Sequence, residues 1–162
     1  MNNILQKQLN FLKPNNHIQT CNLKYKDKIL WDVLIVSLIS YNLIAYYLYH
    51  NFNKYIGLFF IIVSIFSSLS DSNLVNNYII DYIDRITASI GFILYMSFIY
   101  YNLNIINIIP TFILIIISLY NLNEARQCDD NLDDWKFYQN FWHIIPVIHI
   151  ILLEIQKYKN KK

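Results

Sequence analysis

Five long apolar stretches, separated by short polar turns, constrain this chain more than any other feature of its sequence. A membrane-spanning helix needs about 20 mostly apolar residues, because it rises about 1.5 Å per residue across a hydrocarbon core of about 30 Å. Backbone polar groups inside lipid must be satisfied within their own segment, which excludes an open sheet. The sequence therefore predicts an all-α, polytopic transmembrane helical bundle of about five spans. The stretches are Ile29–Tyr49, Tyr55–Leu69, Tyr78–Tyr101, Ile105–Leu122 and Phe137–Ile155.

The composition agrees with a chain that faces lipid. Hydrophobic residues make up 56% and charged residues 15% of the sequence, whereas soluble domains average about 45–50% apolar and about 25% charged residues. The net charge of +2 gives no basis for nucleic-acid binding. With two glycines, the chain cannot build the glycine-rich phosphate loops of nucleotide-binding folds. The expected partners are the lipid bilayer and a lipid substrate.

The segment before the first apolar stretch is basic and begins with an amphipathic pattern. Leu5, Leu9 and Leu12 recur at helical spacing, and Pro14 ends the pattern. The apolar core of a signal peptide is missing before residue 29. We therefore expect an N-terminal helix that lies in the membrane interface, with a frayed tail as the alternative.

The chain thus divides into an N-terminal segment (1–28), a transmembrane bundle (29–156) and a basic tail (157–162). Lysines are concentrated in both outer parts, and the positive-inside rule assigns both parts to the cytosolic side. Five spans would instead put them on opposite sides. Tyr55–Leu69 is the weakest span, because 15 residues make about 22 Å of helix and cross the membrane only if the helix continues to Val75. The sequence favours five spans, with four full crossings as the alternative.

Ionisable residues inside apolar stretches are costly and mark functional sites. Asp71 ends the second stretch, Asp81 and Asp84 begin the third, and His143 begins the fifth. An alternating path brings these helix ends to one side of the bilayer, so we expect Asp71, Asp84 and His143 to converge at one membrane level. The structural alternative is that the groups satisfy one another locally, as Asp81 and Arg85 can at a spacing of four residues.

Carboxylate, imidazole and hydroxyl groups are those of a hydrolytic metal site. Zinc takes three nitrogen or oxygen ligands and keeps a fourth position for a water molecule. His149 is a poor additional ligand, because it lies six residues after His143 and roughly 240° around the same helix. The sequence thus predicts that the two histidines do not share one ligand set.

Three short segments carry a resemblance to a known superfamily: Phe66–Asn73, Tyr82–Ser89 and Gln139–His143. They are similar to the serine–histidine segment, the aspartate segment and the final His-x-x-x-His pair of the superfamily that contains the alkaline ceramidases, the progestin/adiponectin receptors and the myomaker-like proteins. The order of the segments and the helix ends on which they lie agree with that superfamily.

The resemblance implies a zinc-dependent membrane hydrolase that acts on a lipid amide or ester. Ser67 or Ser68, Asp84 and His143 match the superfamily's functional positions. By this resemblance, His143 would hold the metal, Asp84 would act as a base or orient a ligand, and Ser67 would support the oxyanion.

The chain also departs from the superfamily's pattern. Asp71 would replace the first histidine as a metal ligand, and Gln139 stands where a third histidine ligand is expected. Amides are poor zinc ligands, and two of the superfamily's seven spans are missing. A degenerate relative, serving as a non-catalytic membrane scaffold or interaction protein, is therefore the alternative function.

Overall fold

The structure, a computed structural model, describes residues 29–75, 77–104, 106–127 and 131–160. Within these ranges the chain forms five α-helices and no strand, which confirms the predicted all-α bundle. The predicted interfacial helix and the last two residues of the basic tail lie outside the described residues. The helices are α1 (Trp31–Asn51), α2 (Lys54–Asp71), α3 (Tyr78–Asn102), α4 (Ile108–Gln127) and α5 (Leu132–Asn160).

Four of these helices, α1 to α4, are long and apolar enough to cross a membrane by length and composition. The second does so with 18 residues, about 27 Å, and ends at Asp71 rather than continuing to Val75. The helix α5 has 29 residues, about 43 Å, but its apolar stretch is interrupted by amide, imidazole and carboxylate side chains. Its status as a fifth span stays a prediction.

The distribution of side chains between interior and surface is that of a membrane protein. Isoleucines at positions 93, 109 and 116 expose 64%, 68% and 64% of their surface. Small polar residues are buried instead, among them Ser37, Ser64 and Ser67. In a water-soluble protein the isoleucines would be buried and the serines exposed. Helices packed in lipid instead place small and polar residues at their interfaces. The fold is that of an integral multi-pass membrane protein.

Asparagine side chains lie at the start of four of the helices, α2 to α5. Asn53 accepts hydrogen bonds from the backbone of the first turn of α2, and Asn77 does the same for α3. Asn104 and Asn107 bond to each other's backbone in the turn before α4, and Asn131 accepts from the Asp133 amide at the start of α5. The caps of α2, α3 and α5 satisfy amides that the first helical turn leaves unpaired, whereas the Asn104 and Asn107 side chains hold the turn that precedes α4.

The helices pack so that three chain segments meet at one end of the bundle. Helix α1 packs against α2 and α5, α2 against α3, and α4 against α5. The Leu30 amide donates to the Ser72 carbonyl over 2.9 Å, which joins the start of α1 to the end of α2. Trp135, near the start of α5, packs with Leu30 and with Ala125 near the end of α4. This end contains the polar residues singled out by the sequence.

Candidate functional site

Three helices deliver the polar side chains of this end of the bundle. Helix α2 ends with Asp71, and Ser67 lies one turn earlier on the same face, because residues four apart are neighbours on a helix. Gln139 and His143 share a face of α5 for the same reason. Helix α3 contributes Asp84. Asp71 ends α2 and Asp84 lies within two turns of the start of α3, whereas His143 lies three turns into α5, because that helix begins at Leu132 rather than at Phe137.

Asp71 is the centre of the hydrogen-bond network. Its Oδ2 atom accepts from Ser67 Oγ over 3.1 Å and from Gln139 Nε2 over 2.8 Å. His143 Nε2 lies 3.2 Å from the same oxygen. The hydroxyl and the amide donate to this oxygen and the imidazole nitrogen lies within hydrogen-bond distance of it, so these contacts fix the position of the carboxylate.

His143 is enclosed by its neighbours. Its side chain is 1% exposed, and the Tyr41 ring packs edge-on against the imidazole with ring centroids 5.0 Å apart. Its Nε2 atom faces both Asp71 and the Gln139 amide, the latter over 3.1 Å. Its Nδ1 atom is buried and has no hydrogen-bond partner among the described residues. Buried polar atoms are normally satisfied, so an unpaired imidazole nitrogen indicates a place for a further polar atom.

Asp84 also has a buried polar atom that lacks a hydrogen-bond partner. It is 8% exposed, and its Oδ1 atom lacks a partner within the described part of the chain. The neighbouring Asp81 differs, because its Oδ1 accepts a hydrogen bond from Ser70 over 2.8 Å and so links α3 to the end of α2. A buried carboxylate oxygen without a hydrogen-bond partner is costly.

These groups line one cavity of about 350 Å³. One part of its wall is polar and contains Asp71, Asp84 and His143. The other part is apolar and aromatic, so the cavity offers a polar end and an apolar surface to a single ligand, as small-molecule sites do. The remaining lining residues are Tyr41, Ser67, Ser70, Asp81, Arg85, Ala88, Ser89, Phe92, Ile93, Leu119, Leu122, Ala125, Trp135, Gln139 and Trp142.

All four residues proposed from the sequence, Ser67, Asp71, Asp84 and His143, line this cavity. Asp71 and His143 are in direct contact, whereas Ser67 donates its hydroxyl to Asp71. Ser68, the alternative to Ser67, is buried without lining it. The catalytic and metal-binding roles given to these residues stay predictions.

Sequence reasoning placed Gln139 at the third ligand position but did not predict its contacts, in which Nε2 donates to Asp71 and lies 3.1 Å from His143 Nε2. It missed one further contributor. Tyr41 packs against His143 from the middle of α1, where one aromatic residue in an apolar stretch gives no signal.

Metal ligands were also predicted for this end of the bundle. Across the ranges that the structure describes, no group of three or more His, Cys, Asp or Glu side chains is placed to hold a metal ion. Asp71 and His143 are the two ligand-type side chains in contact, and the Gln139 amide occupies the position beside both. The donor set present is therefore two ligands and an amide.

No protein-family model, no curated protein and no solved structure matches the chain. The superfamily resemblance therefore stays a prediction carried by three short segments. The function is inferred from the contacts of the cavity residues.

Proposed function

We propose that the protein is an intramembrane hydrolase that cleaves an amide or ester bond of a lipid in the cavity at the Asp71 end of the bundle. The observation that carries this proposal is the meeting of Asp71, Asp84 and His143, from three helices, at the polar wall of a cavity that is otherwise apolar. A membrane lipid has the matching chemistry, because a polar linkage joins its headgroup to apolar chains. Ionisable groups inside a membrane are energetically costly, and those that are found there are usually functional.

The Asp71–His143 pair supplies a general base. With the imidazole proton on Nε2 and directed to Asp71, the unpaired Nδ1 is free to accept a proton from a water molecule. The hydroxide so formed attacks the carbonyl carbon, the bond to the leaving nitrogen or oxygen breaks, and the imidazolium returns its proton to that leaving atom. The products are a carboxylic acid and an amine or alcohol. Asp71 orients the ring and stabilises its charged form, as carboxylates do in hydrolase triads.

Zinc is the cofactor that the superfamily resemblance implies, with Asp71 and His143 as its ligands. Two atoms bound to one zinc ion at about 2.0–2.2 Å lie about 3.3–3.6 Å apart, and Asp71 Oδ2 and His143 Nε2 lie 3.2 Å apart. The pair fits, but the third position holds the Gln139 amide, which is a poor zinc ligand. The residues present therefore fit only part of a zinc site, and no step above passes through zinc.

The test uses detergent-purified protein and two fluorescent probes, an N-acyl sphingoid amide and a phospholipid ester. Positioned acid–base groups contribute about 10²–10⁴-fold in rate, so His143→Gln should reduce turnover by at least about 100-fold. His50→Gln is the matched control, because His50 is exposed and its ring packs against Tyr46 and Tyr49, away from the cavity. Equal turnover in wild type and His143→Gln, or no turnover in wild type, would overturn the proposal.

A non-catalytic membrane scaffold is the second candidate, and the Gln139 side chain favours it. Its amide donates to Asp71, which cross-links α2 to α5 as a purely structural network would. A scaffold predicts that His143→Gln alters stability or partner binding while no lipid probe is turned over. The same purified variants therefore separate the two functions.

A further inference from the structure

Helices α3 and α4 follow each other in the chain but pack on different neighbours. Helix α3 packs closely against α2, and α4 packs closely against α5. Both α3 and α4 nevertheless line the large cavity that contains Asp71. Residues 103–107 join the two helices at the end of the bundle opposite Asp71. The two helices thus form the sides of a cleft, which we call the α3–α4 cleft, and the candidate site lies inside it.

The floor of the α3–α4 cleft is formed by α5. The Phe92 ring of α3 packs against the Trp142 ring of α5, with ring centroids 6.3 Å apart. At this level a second, smaller cavity of about 50 Å³ adjoins the large one, and Ala88, Phe92 and Trp142 line both. The walls of the smaller cavity are mostly apolar side chains from all five helices. The cleft is therefore polar near Asp71 and apolar further from it.

Two exposed residues mark an opening of the large cavity toward the outside of the bundle. Ile93 of α3 is 64% exposed and Leu119 of α4 is 44% exposed, and both line the cavity. A residue that lines a cavity and also faces outward lies at its rim, so the cavity opens between these two side chains. Both rim residues are apolar, which suits contact with hydrocarbon.

The rim lies well inside the two spans. Ile93 is nine residues, about 14 Å, from the end of α3 at Asn102, and Leu119 is eleven residues, about 17 Å, from the start of α4 at Ile108. Because these two helix ends are joined, both distances are measured from the same side of the bundle. In a hydrocarbon core of about 30 Å the opening consequently faces acyl chains. From Ile93 the cavity extends along α3 to Asp81, twelve residues or about 18 Å away.

We propose that a membrane lipid enters the large cavity sideways from the bilayer, between Ile93 and Leu119, and that one of its acyl chains lies in the α3–α4 cleft. The observation behind this route is an apolar rim at hydrocarbon depth that leads to a polar wall. A water-soluble ligand would have to cross hydrocarbon to use this opening, whereas an acyl chain is already there. The route extends the proposed function by bringing the polar linkage of the lipid to Asp71 and His143. Lipid can occupy the cleft without being cleaved, so occupancy and turnover are measured separately.

The test identifies the residues that a lipid chain touches. Purified protein is reconstituted with phosphatidylcholine that carries a diazirine in the middle of one acyl chain, and mass spectrometry locates the label after illumination. Wild type should be labelled at Trp142 inside the cleft as well as at Ile109, which is exposed and lines neither cavity. Ser89 lines the large cavity and donates its hydroxyl to the Arg85 carbonyl of its own helix. Ser89→Phe fills the cleft behind the rim and should lower the Trp142 label at least about fivefold, because the chain and the ring would overpack.

Ser97→Phe is the matched control, because Ser97 is exposed on the same helix, donates to the Ile93 carbonyl four residues earlier and lines neither cavity. It should leave the Trp142 label at the wild-type level. Leu119→Phe narrows the opening from α4 without filling the interior and should lower that label as Ser89→Phe does.

His143→Gln separates the route from the proposed hydrolysis, since it should keep the Trp142 label whether or not wild type turns over a lipid probe. Equal helicity and thermal unfolding of the variants and wild type establish that folding is retained. Label at Ile109 without label at Trp142 would overturn the route, and so would equal Trp142 label in wild type, Ser89→Phe and Leu119→Phe. A dimer whose cleft stays unlabelled would assign the opening to a second copy of the chain and would also overturn it.

Discussion

The two glycines of the chain have opposite surroundings, and alanine at each should change stability in opposite directions. A Cβ atom at Gly57 of α2 would lie 2.6 Å from both the Cβ and the backbone nitrogen of Tyr49 and 2.7 Å from the Ala45 carbonyl oxygen, all in α1. A Cβ at Gly91 of α3 would meet the Val63 side chain at 3.4 Å and the end of the Phe60 ring at 3.6 Å, which is ordinary contact. Gly57 is therefore required for the close approach of α1 and α2, and Gly91 is not.

The expected change in the free energy of unfolding follows from these distances. At Gly57 the shortest contact falls about 0.8 Å short of the 3.4 Å at which ordinary contact begins, and backbone atoms cannot turn away as a side chain can. Overpacking costs about 1–3 kcal/mol, and we take the upper half of that range for a backbone clash. Alanine regains about 1 kcal/mol of helix propensity. The net expectation is a loss of about 1–2 kcal/mol for Gly57→Ala and a gain of up to about 1 kcal/mol for Gly91→Ala.

Unfolding of the detergent-solubilised protein by sodium dodecyl sulfate, followed by helical circular dichroism, measures both changes. A loss of 1–2 kcal/mol corresponds to a fall of about 5–30-fold in the folding equilibrium constant. Gly91→Ala is the matched control, since it makes the same chemical change in another span. A Gly57→Ala protein as stable as wild type, or equal losses at both positions, would refute the close packing of α1 on α2.

Three further predictions concern single contacts. Gln139→His places an imidazole beside Asp71, and zinc affinity in a chelator competition should rise about 10–100-fold; unchanged affinity would argue against a metal at this end. Asn42 donates to Ser64 over 3.0 Å between α1 and α2, and Asn42→Leu should cost about 0.6 kcal/mol in the same unfolding titration. Lys136 pairs with a half-exposed Asp32 at 3.2 Å, so Lys136→Gln should cost less than about 1 kcal/mol; a larger loss would contradict that estimate.

Each predicted apolar stretch became one helix, but hydrophobicity alone did not set where the helices begin. The stretch Ile105–Leu122 predicts an earlier start than the observed Ile108, and Phe137–Ile155 predicts a later start than the observed Leu132. The difference has a physical cause: a helix starts where a polar cap satisfies its first amides. Asn131 supplies such a cap for α5, and the Asn104 and Asn107 side chains form a hydrogen-bonded turn before α4. An asparagine-rich sequence hides which of its asparagines have these roles.

The sequence predicted on which side of the bundle the site residues lie, but it did not predict which of them are in contact. Connectivity alone predicted that Asp71 and His143 would lie on the same side of the bundle, and they are 3.2 Å apart. It gave no means of knowing that Gln139 would donate to Asp71 and lie beside His143. Such contacts depend on helix rotation and separation, which packing between helices decides and which the apolar pattern of a lipid-facing helix leaves undetermined.

The two histidines of α5 show both what the spacing of residues predicts and what depends on packing. Their spacing of six residues predicts that they face different neighbours, and His143 indeed meets a carboxylate while His149 meets two hydroxyl groups. The same exchange of histidine for glutamine therefore has different consequences at the two positions. At His143 it would remove the base of the proposed hydrolase, so the proposal predicts that lipid turnover is lost. At His149 an amide can replace both hydrogen bonds, so the three helices α3, α4 and α5 should remain joined and the stability should change little.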